Sequence, residues 1–472
     1  ADLQPIYDRH SAILGEGALE LTLDLFRSSS GSSEDRRSAG YLLEWQIESQ
    51  AARAVVELDE REVAWESSAV IDVAGARRIP YQRAPIEIAN SRDRAERLAI
   101  DDARARAAQA EHSPLRLERI QREKAYIEEL ELADDYIRTF GELTGISLPD
   151  LGSQCASFIA TTQAMWDDTL PFFLRRTLGI TTGEATRADA LALFRGREFD
   201  GAFPGSDLEP AIRRYAAELS IDPFANGRII FDLEEREGKD SRAFCAPVRV
   251  PEEVYLVLRP HGGVTDYTTL LHELGHALHF GFADPHYPFE YRWLGDNSVT
   301  EGYAMLFDHL MQNKGWLLRY TGLGKNNIGE FLRMAAFEEL HFLRRYCAKL
   351  LYELEVYSGK TSWDVLPEAY VETLSRATGF RYRGADAFID LDPRFYSSRY
   401  LRAWQLQSIL AQSLVGRFDE DWFRNPAAGP WIVENLFAEG QRETATELAV
   451  RASGASLSFD PLVRAIERGL TG

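Results

Sequence analysis

Two histidines and a glutamate within five residues have the spacing of a metal-binding and water-activating motif. Residues 272–276 read His-Glu-Leu-Gly-His. Side chains four residues apart lie on one face of a helix, so His272 and His276 can reach a single ion. Glu273 lies one residue off that face, where its carboxylate can contact a metal-bound water without taking a ligand position. Because imidazole suits zinc, the spacing predicts a helix that carries two zinc ligands and a general base.

A catalytic zinc site needs a third protein ligand and an open position for water. The metzincin pattern would require Gly at 279 and His at 282, but the chain has His279 and Phe282 there. A Glu on the following helix is the other common solution, and Glu301 fits it. The segment Ser298-Val-Thr-Glu301 could instead form a capping box, in which Glu301 only closes a helix start. We predict that Glu301 is the third ligand of one Zn²⁺ ion and keep the capping box as the alternative.

Three stretches around this motif share a pattern with known enzymes. They are Leu271-His-Glu-Leu-Gly-His-Ala-Leu-His279, Thr300-Glu-Gly-Tyr-Ala-Met305 and Asp232-Leu-Glu-Glu-Arg-Glu-Gly-Lys239. Together they resemble the thimet oligopeptidase and oligoendopeptidase F family of gluzincin-type zinc peptidases, over about residues 225–310 and more loosely over the C-terminal third. The chain is shorter than the usual member. The resemblance implies a helix-rich zincin-type fold with two lobes around a channel that admits short unstructured peptides.

Peptide hydrolysis creates an oxyanion, and a positioned Tyr O–H can stabilise it by about 3 kcal/mol. Tyr396 and Tyr400 both lie in a Tyr-rich stretch of the C-terminal third. The pair Arg399-Tyr400 resembles the angiotensin-converting-enzyme family, in which the Tyr of an Arg-Tyr pair donates to the oxyanion. We therefore rank Tyr400 first and Tyr396 second. The alternative is a Tyr that packs on a helix with its hydroxyl bonded locally.

Other side chains are predicted to support the ligands. A metal-binding His usually donates its second ring N–H to a carboxylate or carbonyl. Asp308 shares a helical face with Glu301, and Asp266 precedes the motif, so either could accept that hydrogen bond or be an ordinary helix acid. His279, one turn past His276, is expected to pack or hydrogen-bond rather than to bind the metal.

Strand patterns occur just before the zinc helix. Three short segments rich in β-branched or aromatic residues, 228–233, 243–248 and 254–258, predict a small sheet at about 228–258. The edge of such a sheet can bind an extended peptide through its free N–H and C=O groups. The alternative is a purely structural hairpin under the helix, and the sequence does not indicate which strand is the edge.

The rest of the chain has helical periodicity, so we predict a mainly α fold. Residues 1–150 are expected to form an N-terminal lobe of long antiparallel helices, with a break at Ser113-Pro114 where Ser113 would cap a new helix. Residues 151–472 are expected to form the catalytic region. It would hold the sheet, the zinc helices at about 266–312 and further helices at about 328–470.

Composition excludes several classes of partner. The net charge of −21 at pH 7 argues against nucleic acid. The sequence contains no apolar run of about 18 residues, which argues against a membrane span. The three cysteines are dispersed, which favours a reducing cytoplasm over a disulfide framework. The oligomeric state stays open.

Together these patterns predict a zinc metallopeptidase that hydrolyses short unstructured peptides by attack of a metal-bound water activated by Glu273. One alternative is a dipeptidyl carboxypeptidase, which would need a cation such as Arg399 or Lys239 for the terminal carboxylate. Another is a zinc-stabilised peptide-binding protein without turnover. The presence of Glu273 argues against this second alternative, because a degenerate site would be expected to lose its base first.

Overall fold

The computed structural model describes residues 4–28, 33–73, 77–236, 239 and 243–471, and most of them are helical. In chain order the elements up to residue 219 are α1 Gln4–Arg9, α2 Ser11–Leu14, α3 Glu16–Ser28, α4 Ser33–Ala54, α5 Val56–Ser68, β1 Val70–Val73, β2 Arg77–Pro80, α6 Ala84–Asn90, α7 Arg94–Ala107, α8 Ser113–Glu129, α9 Tyr136–Thr144, α10 Leu148–Thr161, α11 Gln163–Phe173, α12 Arg187–Leu193 and α13 Leu208–Leu219.

The later elements include a small sheet and further long helices. They are β3 Ile229–Asp232, β4 Phe244–Arg249, β5 Glu253–Val257, α14 Val264–Phe282, α15 Phe289–Trp293, α16 Asn297–Asp308, α17 Lys314–Tyr320, α18 Ile328–Tyr357, α19 Leu366–Thr378, α20 Tyr396–Phe418, α21 Ala428–Ile432, α22 Ala445–Ser453 and α23 Asp460–Thr471. The mainly α fold with a minor sheet is therefore confirmed. No helix among the described residues is both long and apolar enough to cross a membrane.

The chain forms two compact units, each built from two segments. The first unit consists of residues 1–195 and 341–398, and the second of residues 196–340 and 399–472. All three predicted metal ligands lie in the second unit. The division of the chain at residue 150 stays a prediction.

The predicted helix break at Ser113 is wrong. Residues 94–129 run as a continuous helix, in which a π-helical turn, Ala108–His112, joins α7 to α8. Pro114 has no N–H to donate, and its ring would clash with a carbonyl of the preceding turn in a regular α-helix. The wider π turn accommodates that ring without ending the helix.

The small sheet of the second unit has strand order β3-β5-β4. β5 pairs in parallel with β3 and antiparallel with β4, so β5 is central and β3 and β4 are its edges. Ile229, Val254 and Leu256 point to the same face and are buried. This face lies against α14, since a Cβ added at Gly281 would lie 2.8 Å from the Ile229 side chain. The sheet is thus packed directly on the predicted zinc helix.

α14 and α16 are packed against each other at very short range. The apolar residues of α14, such as Leu271, Leu274 and Leu278, are fully buried. A Cβ added at Gly275 would lie only 2.6 Å from the Ala304 Cα, so a larger residue would not fit between the two helices. This contact positions His272 and His276 of α14 opposite Glu301 of α16.

The start of α16 is fixed by a buried carboxylate. Asp296 caps the helix, accepting a hydrogen bond from the Ser298 N–H at 2.9 Å. It also pairs with Arg399 of α20 at 3.1 Å and with Arg402 at 3.4 Å. Burial alone would raise the pKa of Asp296, but the two guanidinium groups hold it well below its usual range. α20 is therefore anchored to the beginning of the helix that carries Glu301.

Candidate metal centre

The three predicted ligands converge on one point. The Nε2 atoms of His272 and His276 lie 3.5 Å and 3.6 Å from the same Glu301 oxygen, Oε2. All three atoms lie within 4.8 Å of one another. Ligand atoms bound at about 2.0–2.1 Å around a tetrahedral ion are roughly 3.4 Å apart, so the observed separations fit a shared metal ion.

The outer ring nitrogens of both histidines have partners on α16. His272 Nδ1 lies 2.8 Å from Asp308 Oδ2, and His276 Nδ1 lies 2.8 Å from the Thr300 hydroxyl. Carboxylate and hydroxyl oxygens can accept these N–H bonds, which leaves each Nε2 lone pair directed at the common point. This is the tautomer that metal binding requires.

The charges of the site also fit a cation. Burial alone would raise the pKa of Glu301, but its hydrogen bonds with His272 and His276 lower it well below the usual range. Burial alone would lower the pKa of His272, yet hydrogen bonds to Asp308 and Glu301 raise it to about 10. The cluster thus binds positive charge strongly, and a divalent ion can take the place of the protons.

Thr300 connects His276 to His279. Its hydroxyl lies 3.2 Å from His279 Nδ1 as well as 2.8 Å from His276 Nδ1. The hydroxyl carries one proton, so it accepts from His276 and donates to His279. Burial lowers the pKa of His279 to about 3, which keeps this ring neutral and able to accept. In agreement with the sequence-based expectation, His279 hydrogen-bonds within the core.

Glu273 lies on α14, which contacts the edge strand β4. Burial raises the pKa of the Cys245 thiol, and the negative charge of Glu273 raises it further, so the two side chains are within electrostatic range of each other. Glu273 itself is half-buried, in contrast to the fully buried Leu274 that follows it. The predicted base is therefore near enough to β4 for its charge to act on a residue of that strand.

Two predicted alternatives are not supported by the geometry. Asp266 accepts hydrogen bonds from the backbone N–H groups of His261 and Gly262, at 2.5 and 2.7 Å, so its carboxylate is engaged at the start of α14. The capping box at Ser298 is wrong, because Asp296 is the N-cap and Glu301 lies inside the helix. Of the two acids considered, Asp308 is the one that contacts His272.

The two predicted oxyanion donors fall in different units. Tyr400 lies in the second unit, with the ligands, and is half-buried on α20. Tyr396 lies in the first unit. Arg399 is paired with Asp296, the cap of α16. The next residue, Tyr400, is therefore on a helix that contacts the helix carrying Glu301. Both assignments stay predictions.

Both cations considered for a terminal carboxylate already have partners. Lys239 Nζ donates to Asp232 Oδ1 at 3.0 Å and to the carbonyl oxygens of Asp232, Glu234 and Leu258 at 2.7–2.9 Å. Arg399 is buried and paired with Asp296. Glu237 and Gly238 of the same motif lie outside the described residues. Lys239 therefore links the end of β3 to Leu258.

A second His and Glu cluster occurs in the first unit. His112, Glu62 and Glu66 offer three atoms in ligand range of one another. Glu62, however, accepts from His112 at 2.9 Å and pairs with Arg116 at 3.1 Å. Since Arg116 already neutralises this carboxylate, we assign no metal there.

The sequence alone did not indicate that Thr300, Cys245 and the cap Asp296 lie at or near the candidate site. Thr300 directly precedes Glu301, so its position next to a predicted ligand was the available signal. The position of Cys245 on an edge strand follows from the strand pairing, and the capping role of Asp296 follows from the start of α16.

Comparison with known proteins shows the fold. No protein-family profile matches the chain, and no curated protein matches it. Solved peptidase structures share the architecture along nearly the whole chain, which confirms the helix-rich zincin-type peptidase fold.

Three of these structures illustrate the likeness. PZ peptidase A, solved with an inhibitor, has a TM-score of 0.70 and 17% identity, covering 99% of this chain and 85% of that chain. A candidate oligoendopeptidase F from Bacillus anthracis has a TM-score of 0.68 and 14% identity, covering 99% and 84%. The M32 carboxypeptidase from Deinococcus radiodurans has a TM-score of 0.58 and 16% identity, covering 98% and 89%. Their names are those of a peptidase, an oligoendopeptidase and a carboxypeptidase, so the fold alone leaves the mode of cleavage open.

Proposed function

We propose that this protein is a zinc-dependent metallopeptidase that hydrolyses short, unstructured peptides. The observation that carries the proposal is the convergence of His272, His276 and Glu301, with Nε2–Oε2 separations of 3.5 and 3.6 Å. Two imidazole nitrogens and one carboxylate oxygen form a catalytic zinc set, with three protein ligands and one position left open. When bound, zinc would polarise the peptide carbonyl and lower the pKa of water.

The residues around the metal have distinct roles in this proposal. His272, His276 and Glu301 hold the ion, and Asp308 and Thr300 orient the two imidazoles. Glu273 accepts a proton from the attacking water and passes it to the leaving amine. Tyr400 is the first choice for the donor to the oxyanion, and Tyr396 the second.

The edge strand β4 is the proposed peptide-binding element. It pairs only with β5 among the described residues, and the charge of Glu273 acts on its residue Cys245. An extended peptide can add to such an edge through backbone hydrogen bonds, which give affinity without strong sequence preference. This arrangement would place the substrate backbone next to the base.

We favour internal cleavage over removal of C-terminal dipeptides. A dipeptidyl carboxypeptidase needs a cation or donor for the terminal carboxylate, and the engaged state of Lys239 and Arg399 removes the two groups considered for that role. The neighbours that are carboxypeptidases keep terminal cleavage as the second candidate.

The test is digestion of a mixed-length peptide library by the wild type, by Glu273→Gln and by the control Glu330→Gln, an exposed position on α18. Each protein is also assayed for bound zinc. Loss of a general base costs about 10²–10⁴-fold in rate, so Glu273→Gln should keep zinc and lose most turnover, while the control stays active. A zinc-loaded wild type that cleaves no peptide would overturn the proposal in favour of peptide binding. Product lengths separate internal from terminal cleavage.

A further inference from the structure

The carboxylate that orients His272 is itself bound by a second histidine. Asp308 ends α16, and its Oδ2 atom accepts the hydrogen bond from His272 Nδ1 at 2.8 Å. Its other oxygen, Oδ1, lies 2.6 Å from Nδ1 of His309. Asp308 therefore bridges two imidazoles, and only one of them belongs to the predicted ligand set.

Among the described residues, every hydrogen-bond partner of the His309 ring nitrogens is an acceptor. Nδ1 faces Asp308 Oδ1 at 2.6 Å and the Met305 carbonyl oxygen at 2.7 Å, and Nε2 faces Glu339 Oε1 at 2.8 Å. An imidazole that donates from both nitrogens carries two protons and a positive charge. Burial alone would lower the pKa of His309, but the carboxylates of Glu339 and Asp308 raise it well above its usual range.

The far end of this chain of hydrogen bonds is buried in the same unit. Glu339 lies on α18, and 7% of its surface is exposed. The charges alternate from Glu339 to His309 to Asp308, so the central imidazolium of His309 has a carboxylate on either side. Such a network is costly to leave incomplete, because removal of one member strands a buried charge. The Asp308 carboxylate is thereby held on one side by a fixed cation.

We propose that His309 and Glu339 are positioning residues for the zinc ligand His272, acting through Asp308. The proposal rests on the proposed zinc site. His309 holds Asp308 Oδ1, so that Oδ2 stays directed at His272 Nδ1, and Glu339 keeps His309 in place and charged. Without His309 and Glu339, the Asp308 carboxylate can rotate about its χ angles and loses part of its orientation toward His272.

A purely structural role makes a different prediction. If His309 and Glu339 only joined α18 to the end of α16, their loss would lower the thermal stability and leave the metal environment unchanged. If they position Asp308, their loss weakens metal binding and alters the ligand field at His272. The two roles are separable by metal-binding measurements made below the unfolding temperature.

The experiment compares His309→Gln, Glu339→Gln and the double variant with the wild type. Asp308→Asn is the positive control, and Glu330→Gln is a matched charge control at an exposed position of α18. Zinc affinity is measured by competition with a chromophoric chelator, and the visible spectrum of the cobalt(II)-substituted protein reports the metal environment. Thermal unfolding of each metal-free variant shows whether it is folded.

Removal of an outer partner typically costs 10–100-fold in metal affinity. We expect the zinc dissociation constant to rise about tenfold in each single variant, with a shifted cobalt spectrum. The zinc affinity of the double variant should fall by no more than about tenfold, because the two residues act in series through one carboxylate. Asp308→Asn should lose at least as much zinc affinity as either single variant, and Glu330→Gln should bind zinc as tightly as the wild type.

The outcomes separate the inference from the function it rests on. Folded His309→Gln and Glu339→Gln proteins with wild-type zinc affinity and cobalt spectrum would overturn the inference. A wild type that binds no zinc would instead overturn the proposed function. Should one variant fail to fold, the other still decides the question, because each removes a different member of the same series.

Discussion

Substitution of Gly275 by Ala tests whether the close packing of α14 and α16 sets the geometry of the metal site. Gly275 lies between the proposed ligands His272 and His276. An added Cβ would lie 2.6 Å from the Ala304 Cα and 2.7 Å from the Tyr303 carbonyl oxygen. Both neighbours are backbone atoms of α16, so they cannot move aside without moving the helix.

The expected displacement follows from these contacts. Non-bonded carbon atoms settle at about 3.5–4.0 Å, so the helices must separate by roughly 0.9 Å or more at this point. Metal–ligand distances tolerate only about 0.2 Å, and the displacement carries Glu301 away from both imidazoles. Overpacking of a core also costs about 1–3 kcal/mol in stability. We expect the zinc dissociation constant to rise by more than tenfold, which corresponds to about 1.4 kcal/mol or more.

The assay is zinc competition with a chromophoric chelator, together with thermal unfolding of the metal-free protein. Gly329→Ala is the control, because an added Cβ there meets no atom within 4 Å and the residue is exposed on α18. That control should keep wild-type zinc affinity and at least wild-type stability, since Ala favours helix over Gly. A Gly275→Ala protein that binds zinc as tightly as the wild type would refute the argument that this helix contact sets the site.

Two further predictions concern Thr300 and Glu353. Thr300→Val removes the hydroxyl that accepts from His276 Nδ1, and we expect about a tenfold loss of zinc affinity by chelator competition; unchanged affinity would contradict this role. Burial, together with the charge of Asp392, raises the pKa of Glu353 to about 8 despite Lys349 and the hydrogen bond from Ser397. The unfolded chain releases the Glu353 proton above its ordinary pKa of 4.5, whereas the folded protein keeps it up to about pH 8. The stability of the fold therefore decreases as pH rises between these two values, by at most about 5 kcal/mol from this group. Glu353→Gln should therefore stabilise the protein increasingly from pH 5 to pH 8 in thermal unfolding, and a pH-independent difference would count against a protonated Glu353.

The sequence was most informative where one helix carries the chemistry. The spacing of His272, Glu273 and His276 is a property of a single α-helix, so periodicity alone predicts which side chains share a face. The proposed third ligand was harder to predict, because Glu301 lies on another helix and Ser298-x-x-Glu301 also has the form of a cap. The structure contradicts the cap, because α16 starts at Asn297 and is capped by Asp296.

The remaining features depend on contacts between distant parts of the chain. The pairing that leaves β4 at a sheet edge, and the contact of His309 with Glu339, arise only when separate elements pack together. The break predicted at Ser113 failed for a different reason. Pro114 normally marks a helix start, but a π turn absorbs it inside a continuous helix, and local sequence does not distinguish these two outcomes.

α16 supplies more of the metal site than its single ligand. Glu301, the Thr300 hydroxyl and the Asp308 carboxylate all project from it, so this helix contacts both histidines of α14 while carrying the proposed third ligand. A change that moves α16 as a whole alters three contacts at once, whereas Thr300→Val removes only one. If α16 acts as one rigid element, Gly275→Ala must therefore weaken zinc binding more than Thr300→Val does. The reverse order would mean that the ligands adjust individually and that the hydrogen bond to His276 matters more than the spacing of the helices.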